Sequence, residues 1–168
     1  MLELLITDNT LPDPVRAITH ELRARAWQAS GNTLEGARER TLLEALLSGA
    51  DLIEQNREQI WNNLRLITPI ALKQLIIEPP PDILSGWMEL VELSRRYLQQ
   101  PGALAEVTPH WQQRYPGHPA TAAFIPKLLD SLNLVGQTPG QIALLLPLNG
   151  NLAEAAGAIR DGVLAAYY

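Results

Sequence analysis

The sequence of 168 residues contains no cysteine and is poor in charged and aromatic side chains, at 18% and 5%. The lack of cysteine excludes disulfide bonds, thiolate zinc sites and a cysteine nucleophile within these residues. Lys and Arg total 13 against 18 Asp and Glu, for a net charge of -5, and no segment is rich in basic residues. A nucleic-acid-binding groove is not expected, because such grooves are lined with positive charge.

Long apolar runs are also missing. No stretch approaches the roughly 20 apolar residues of a membrane-spanning helix. The start, Met1 followed by an apolar segment at residues 2–6, lacks the positive charge and the length of a signal peptide. We interpret residues 2–6 as the remnant of a truncated element. If the protein is exported, we expect its signal to lie upstream.

What the chain does contain is helical periodicity, which predicts a mostly α fold built as an array of αα-hairpins. The first helix carries an apolar stripe that is predicted to face a core, at Val15, Ile18, Leu22, Ala26 and Ala29. Gly31 ends this helix, and Asn32 with Glu35 forms a capping-box-like start for the second. Two antiparallel helices joined in this way form an αα-hairpin.

Further helices are predicted over residues 52–67, from Pro69 after the capping residue Thr68, from residue 83 after the capping residue Asp82 to about residue 98, and over 103–114 and 120–132. Pro109 is expected to kink or split its helix at Thr108. At an offset of 34 residues, some positions of the first two hairpins match. This period is that of tetratricopeptide (TPR) repeats, and chance remains the alternative.

The last quarter changes character. The apolar run at residues 141–148 predicts a β-strand, and the loop at residues 149–151 leads into a helix over 152–168. One β-α unit cannot form an α/β domain, because parallel strands need neighbours and covered faces. We therefore expect a piece of a longer protein, with a TPR-like helical domain at 1–135, a linker at 136–140, and the first strand and helix of a truncated α/β domain at 141–168.

No pattern predicts a catalytic, cofactor-binding or metal site. The histidines at 20, 110 and 118 do not pair at metal-ligand spacing, and we expect them to be exposed or to cap turns. No serine lies in a Gly-x-Ser-x-Gly elbow. A helical enzyme that cleaves glycans remains an alternative, with Glu106 as the nearest candidate for the carboxyl group that such an enzyme needs.

Two groups of residues are candidates for binding. The tryptophans at 27, 61, 87 and 111 lie on different helices, and they either pack at helix junctions or grip a peptide or glycan. Trp111 is the best candidate for a partner or glycan contact, since Arg114 and Tyr115 supply polar groups beside it. The second candidate is a ligand loop at Asn149 and Gly150, because α/β folds bind ligands at the carboxyl ends of strands. The alternative is that this loop only turns the chain.

Specific segments carry a resemblance to known proteins. Residues 142–150, with 155–162 and 165–168, resemble the opening of a type I periplasmic-binding-protein domain. More closely, the chain from about residue 14 resembles the LpoA family of penicillin-binding protein activators, with similarity at residues 22–27, 31–32, 37–40 and 111–120. Asn149 departs from this pattern, because related sequences often have serine before the glycine.

The resemblance implies a non-catalytic regulator of peptidoglycan synthesis with a TPR-like domain and a periplasmic-binding-protein-like domain. It implies an outer-membrane lipoprotein that reaches through the periplasm and activates a bifunctional class A penicillin-binding protein by contact, mainly through the second domain. Its membrane anchor, a lipidated cysteine, is absent from this chain. Peptidoglycan is a further expected partner, and no cofactor is expected. The alternatives are a helical enzyme that cleaves cell-wall glycans and a periplasmic small-ligand receptor.

Deletion of residues 137–168 is predicted to leave helicity and the melting temperature nearly unchanged, because the tail has few partners in the helical array. Circular dichroism measures both quantities. A large loss of unfolding cooperativity in the shortened chain would instead show that the tail belongs to the core.

Overall fold

The structure is a computed structural model that describes residues 11–77, 82–98, 100–135, 143–147 and 149–167. These residues form eight helices and no strand: α1 (Asp13–Ala29), α2 (Thr33–Glu44), α3 (Ala50–Leu64), α4 (Pro69–Leu75), α5 (Ile83–Arg96), α6 (Pro101–Arg114), α7 (Phe124–Val135) and α8 (Ala153–Tyr167). The predicted, mostly α fold is confirmed. The chain divides into two compact units, Met1–Gly136 and Gln137–Tyr168. None of the described helices is long and apolar enough to cross a membrane.

The helix starts follow the predicted capping residues. The side chains of Asn32, Thr68 and Asp82 each accept a backbone N–H of their own first turn, at 3.2–3.4 Å. These bonds satisfy amides that have no partner inside the helix. Glu35 pairs with Arg38 instead of reaching back to Asn32, so the capping box is half formed.

The core of the first unit is built around α5, which packs against α2, α3, α4 and α6. Its buried face meets apolar side chains of α3, α6 and α7 in one cluster, which includes Ile60, Trp61, Leu64, Trp87, Met88, Val91, Trp111, Tyr115 and Ile125. Three of the four tryptophans therefore pack at helix junctions. Trp27, at 36% exposure, lies outside this cluster.

Helix α6 runs unbroken through Pro109, so the split expected at Thr108 does not occur. The proline ring removes the hydrogen bond to the carbonyl of Ala105. Both residues are exposed, and solvent can satisfy that carbonyl. Helix α7 begins at Phe124, four residues later than predicted, because residues 119–123 form turns after His118.

The predicted orientation of α1 was wrong. Three members of its apolar stripe, Val15, Ile18 and Leu22, are 42%, 62% and 53% exposed. The helix instead buries the neighbouring face, with Thr19, His20 and Ala24. The reason is that α1 packs on α2 through paired polar groups, which an apolar pattern does not reveal.

We call these groups, His20 and Arg23 on α1 and Glu39 on α2, the polar seam. His20 Nδ1 lies 2.8 Å from one oxygen of Glu39, and Arg23 Nε donates to the other at 2.7 Å. Glu39 is only 4% exposed, and a buried carboxylate is tolerated when such partners satisfy both its oxygens. His20, at 5% exposure, is thus buried and not exposed as expected.

The second unit contains α8, which confirms the helix predicted after the loop. The strand predicted over residues 141–148 is not formed at residues 143–147, and positions 141, 142 and 148 lie outside the described residues. A strand is stabilised by hydrogen bonds to a neighbouring strand. The described parts of the chain offer no such neighbour.

Gly86→Ala is predicted to destabilise the first unit. A Cβ atom at this position of α5 would lie 2.6 and 2.7 Å from the imidazole atoms of His118 and 3.1 Å from the ring of Tyr115. Overpacking of this kind costs about 1–3 kcal/mol or more. Urea unfolding should therefore show a fall in the free energy of unfolding of about 1–2 kcal/mol, after the gain that alanine gives as a helix former.

The matched control is Gly102→Ala, in the first turn of α6, where an added Cβ meets no atom within 4 Å. Alanine is the better helix former by roughly 0.5–1 kcal/mol. This variant should be as stable as the parent or slightly more so. Equal stabilities for the two variants would contradict the close approach at Gly86.

Candidate functional site

The predicted contact residues Trp111, Arg114 and Tyr115 lie in the last turn of α6 and just after it. Trp111 is 1% exposed and Tyr115 is 2% exposed. The Trp111 indole N–H donates to the carbonyl of Gly86 on α5 at 3.1 Å. Both rings therefore pack in the core, which agrees with the packing alternative rather than with a surface anchor.

Arg114 is the member of this group that reaches the surface, with 32% of its side chain exposed. Its Nη1 donates to Glu89 Oε1 on α5 at 2.7 Å, and the Tyr115 hydroxyl donates to the other oxygen at 2.8 Å. Glu89 thus links α5 to the end of α6. This pairing fixes where Arg114 can present its charge.

His118 lies buried in the turn after α6, where it touches three other aromatic rings. Its Nδ1 accepts the N–H of Ala120 at 3.1 Å, and its Nε2 lies 2.9 Å from the carbonyl of Ile83. These partners define the neutral tautomer, with the proton on Nε2. Burial lowers the pKa of His118 to about 4, an effect that the bond to Ile83 opposes and the charge of Arg57 reinforces. The imidazole therefore caps its turn, which is one of the two roles predicted for the histidines, and it does so from a buried position.

The predicted ligand loop at Asn149 and Gly150 is exposed. Gly150 has φ of 84°, a conformation that glycine adopts readily. Its carbonyl accepts the N–H of Ala153 at 3.1 Å, which closes a turn into α8. The turn is thus described, and a ligand at this loop remains a prediction.

A metal site and a glycan-cleaving site each require a particular grouping of side chains. Within the described residues, no three His, Asp or Glu side chains are grouped so that they could hold a metal ion. Glu106, the carboxyl considered for glycan cleavage, is exposed on α6. The catalytic acid of such an enzyme is instead enclosed by apolar groups.

A feature that the sequence did not predict is a groove of about 840 Å³ between α1, α2 and α3. The stripe expected to face the core forms its first wall, with Ile18 and Leu22 of α1. The opposite wall comes from α3, with Leu52, Gln55 and Gln59. The sequence feature that could have indicated this groove is the amide-rich face of α3, with Gln55, Asn56 and Gln59. Such a face is typical neither of a core nor of a charged, solvated surface.

The floor of the groove is electrostatically paired. The Glu21 carboxylate accepts from Arg25 at 2.6 Å and from Arg40 at 3.0 Å. Arg40 also donates to Asn56, whose amide donates back to the Arg40 carbonyl. Burial raises the pKa of Glu21, but the hydrogen bonds and charges of the two arginines together outweigh burial and leave the pKa lowered. Glu21 is therefore ionised at pH 7, and the positive charges of Arg25 and Arg40 balance its negative charge.

A second, smaller cavity of about 170 Å³ lies between α3 and α7. The rings of Trp61 and Phe124, with centroids 5.1 Å apart, form part of its lining. Charged side chains, including Glu54 and Lys127, also line it. These two form an ion pair that connects the helices.

Comparison with known proteins gives a consistent family assignment. A family described as LppC putative lipoprotein matches residues 2–168. Penicillin-binding protein activator LpoA of Edwardsiella ictaluri is 37% identical over 135 residues, which cover 80% of this chain and 20% of that protein. The protein of the same name from Escherichia coli is 31% identical over 149 residues, or 86% of this chain and 22% of that protein.

Solved structures agree with this assignment. A monoclinic crystal form of Haemophilus influenzae LpoA matches with a TM-score of 0.68 and 25% identity, over 96% of this chain and 29% of that chain. Another monoclinic form matches with a TM-score of 0.66. The chain thus spans about a fifth of the length of the curated relatives it matches.

The environment of His118 predicts a pH-dependent stability. The unfolded chain takes up this proton near the ordinary pKa of 6.5, whereas the folded chain does so only near 4. The contribution of neutral His118 to the free energy of unfolding is therefore complete above pH 6.5 and is lost as the pH falls from 6.5 to 4. The gap corresponds to about 3 kcal/mol, at roughly 1.4 kcal/mol per pKa unit.

The free energy of unfolding, measured with urea, should be about 2 kcal/mol lower at pH 5 than at pH 7. The variant His118→Asn should show little of this difference. An NMR titration of the imidazole gives a direct readout. A midpoint near pH 6.5 in the folded protein would show that the imidazole is not held neutral by its surroundings.

Proposed function

The chain belongs to the LppC putative lipoprotein family, and from this membership we propose that it is the helical part of a non-catalytic activator of a penicillin-binding protein. The observation that carries the proposal is the 37% identity over 135 residues to a penicillin-binding protein activator. The fold match to LpoA supports it. An activator works by binding the active state of its partner better than the inactive one, so the function calls for a contact surface and not for a reactive centre.

The finer parts of the proposal rest on the sequence resemblance. The partner is a bifunctional class A penicillin-binding protein, a peptidoglycan synthase. The chain acts in the periplasm, within a parent lipoprotein that is anchored in the outer membrane. Its organisation is a TPR-like helical domain at 1–135, a linker at 136–140 and the start of a periplasmic-binding-protein-like domain at 141–168.

Two surfaces are proposed for contact. Arg114, at the exposed end of its pair with Glu89, supplies a charge at the rim of an interface. The loop at Asn149 and Gly150 supplies exposed main-chain groups. Since α5 and α6 fix Glu89 and Arg114, a partner would meet a charge already held in place, at little entropic cost.

The test is binding of a purified class A synthase to the immobilised chain, followed by biolayer interferometry. We expect saturable binding that Arg114→Ala weakens roughly twofold to fivefold, because rim ion pairs contribute about 0.2–1 kcal/mol. Arg38→Ala is the matched control, since Arg38 is also exposed and pairs with a glutamate three residues away. Thermal melts of both variants confirm that the fold is kept.

Other outcomes would replace the proposal. Absence of saturable binding would contradict a contact function for this chain. Release of soluble muropeptides from purified peptidoglycan would identify a glycan-cleaving enzyme. Thermal stabilisation by a small molecule, without binding of the synthase, would identify a small-ligand receptor.

A further inference from the structure

We propose that the corner of the first unit where α3 ends, α4 begins and α5 ends docks on the surface of an anionic lipid bilayer. We call it the basic corner, and its residues are Arg65, Leu66, Ile70, Lys73, Glu92, Arg95 and Arg96. The proposal goes beyond the activator function proposed above and does not depend on it, because its test involves no synthase.

Side-chain bonds hold the basic corner together. Lys73 on α4 lies 3.4 Å from a carboxylate oxygen of Glu92 on α5, and Arg96 donates to the same oxygen at 2.6 Å. Arg95 reaches the residues just after α3, where it donates to the carbonyl of Arg65 at 2.6 Å. The four cationic residues are therefore grouped at one end of the first unit.

The basic corner is positive on an acidic chain. Its four cations face one carboxylate, that of Glu92, which leaves an excess of three positive charges, whereas the whole chain carries -5. The side chain of Arg65 forms no ion pair with a described residue, so its charge is available to an outside partner. Charges more than about 10 Å apart are largely screened at 0.1 M salt. An anionic surface is therefore attracted to the basic corner and repelled by the acidic remainder.

Two aliphatic side chains project between these cations. Leu66 and Ile70 lie between Arg65 and Lys73 in the chain, and they are 72% and 74% exposed, more than any other large apolar residue described in the first unit. Side chains exposed to this degree project from a convex surface. A bilayer interface can deform around them and remove them from water, while long basic side chains keep their charges among the lipid headgroups.

The main chain of the corner is already hydrogen-bonded. The N–H groups of residues 65–67 donate back into the last turn of α3. The carbonyls of Arg65 and Ile67, which follow that helix, accept bonds from the Arg95 guanidinium. Unpaired main-chain groups oppose entry into lipid, whereas a protein partner could bond to them itself. The observed bonding therefore favours a lipid surface over an acidic protein segment.

Family membership supports the same choice. The family is described as one of putative lipoproteins, and a lipid anchor keeps a domain close to a bilayer. Such tethering raises the effective concentration of the membrane surface at the domain. A weak attraction at the basic corner is then sufficient to orient the helical unit on the bilayer.

The experiment is co-sedimentation of the full 168-residue chain with vesicles of phosphatidylcholine that contain phosphatidylglycerol. We expect binding that falls with added salt and is about tenfold or more weaker on phosphatidylcholine alone, because each basic residue near an anionic bilayer contributes roughly fivefold in affinity. Arg65→Gln combined with Lys73→Gln should weaken binding roughly twentyfold for the same reason. Leu66→Ser combined with Ile70→Ser should weaken it about tenfold or more, because less apolar surface leaves water.

Each double variant has a matched control. Arg25→Gln combined with Arg38→Gln changes the net charge equally, at exposed positions of α1 and α2. Leu42→Ser combined with Leu52→Ser removes two exposed leucines of α2 and α3. Both controls should bind nearly as well as the parent chain, since neither touches the basic corner. Thermal melts of all variants verify folding.

A dye gives a direct readout of insertion. Because the chain has no cysteine, the variant Leu66→Cys can be labelled at one position with a polarity-sensitive fluorophore. Its emission should shift to shorter wavelength on the anionic vesicles, whereas the same dye on Leu42→Cys should not shift.

Three results would overturn the proposal. The first is equal binding to neutral vesicles, and the second is equal affinity of the corner variants and their controls. The third is equally tight binding to soluble poly-glutamate that Leu66→Ser with Ile70→Ser leaves unchanged, which would identify an acidic protein segment as the partner of the basic corner.

Discussion

The close approach of the α6 end to the backbone of α5 at Gly86 is the contact on which the first unit depends most. The carbonyl of Gly86 receives the Trp111 indole N–H, and the missing side chain leaves room for the His118 ring. His118 then bonds to Ile83, one turn earlier on α5. Because α5 also packs against α2, α3 and α4, the position of this helix determines how those helices surround the core.

Helix α1 is held in place by polar contacts rather than by apolar packing. α1 is held by directional bonds between ionic and polar side chains, and its aliphatic stripe is left facing outward. That arrangement creates the groove, because α3 presents a polar face opposite the stripe. One unit thus combines an apolar centre around α5 with an open, mixed surface around α1.

Much of the fold could be predicted from local patterns. Caps at Asn32, Thr68 and Asp82 depend on residues close in sequence. The face of α1 could not be predicted, because it depends on His20 meeting Glu39 nineteen positions away. The candidate site was harder still. Whether Trp111 is a surface anchor depends on a gap at Gly86, and the groove requires three helices to be placed together.

The polar seam has a consequence for how the first hairpin closes. Apolar surfaces can slide past one another at small cost, whereas the bonds from His20 and Arg23 to Glu39 are directional. A slip of one helical turn, about 5.4 Å, would break both of these bonds. The polar seam therefore favours the observed register of α1 on α2, although a buried polar contact contributes less to stability than an apolar one of similar size would.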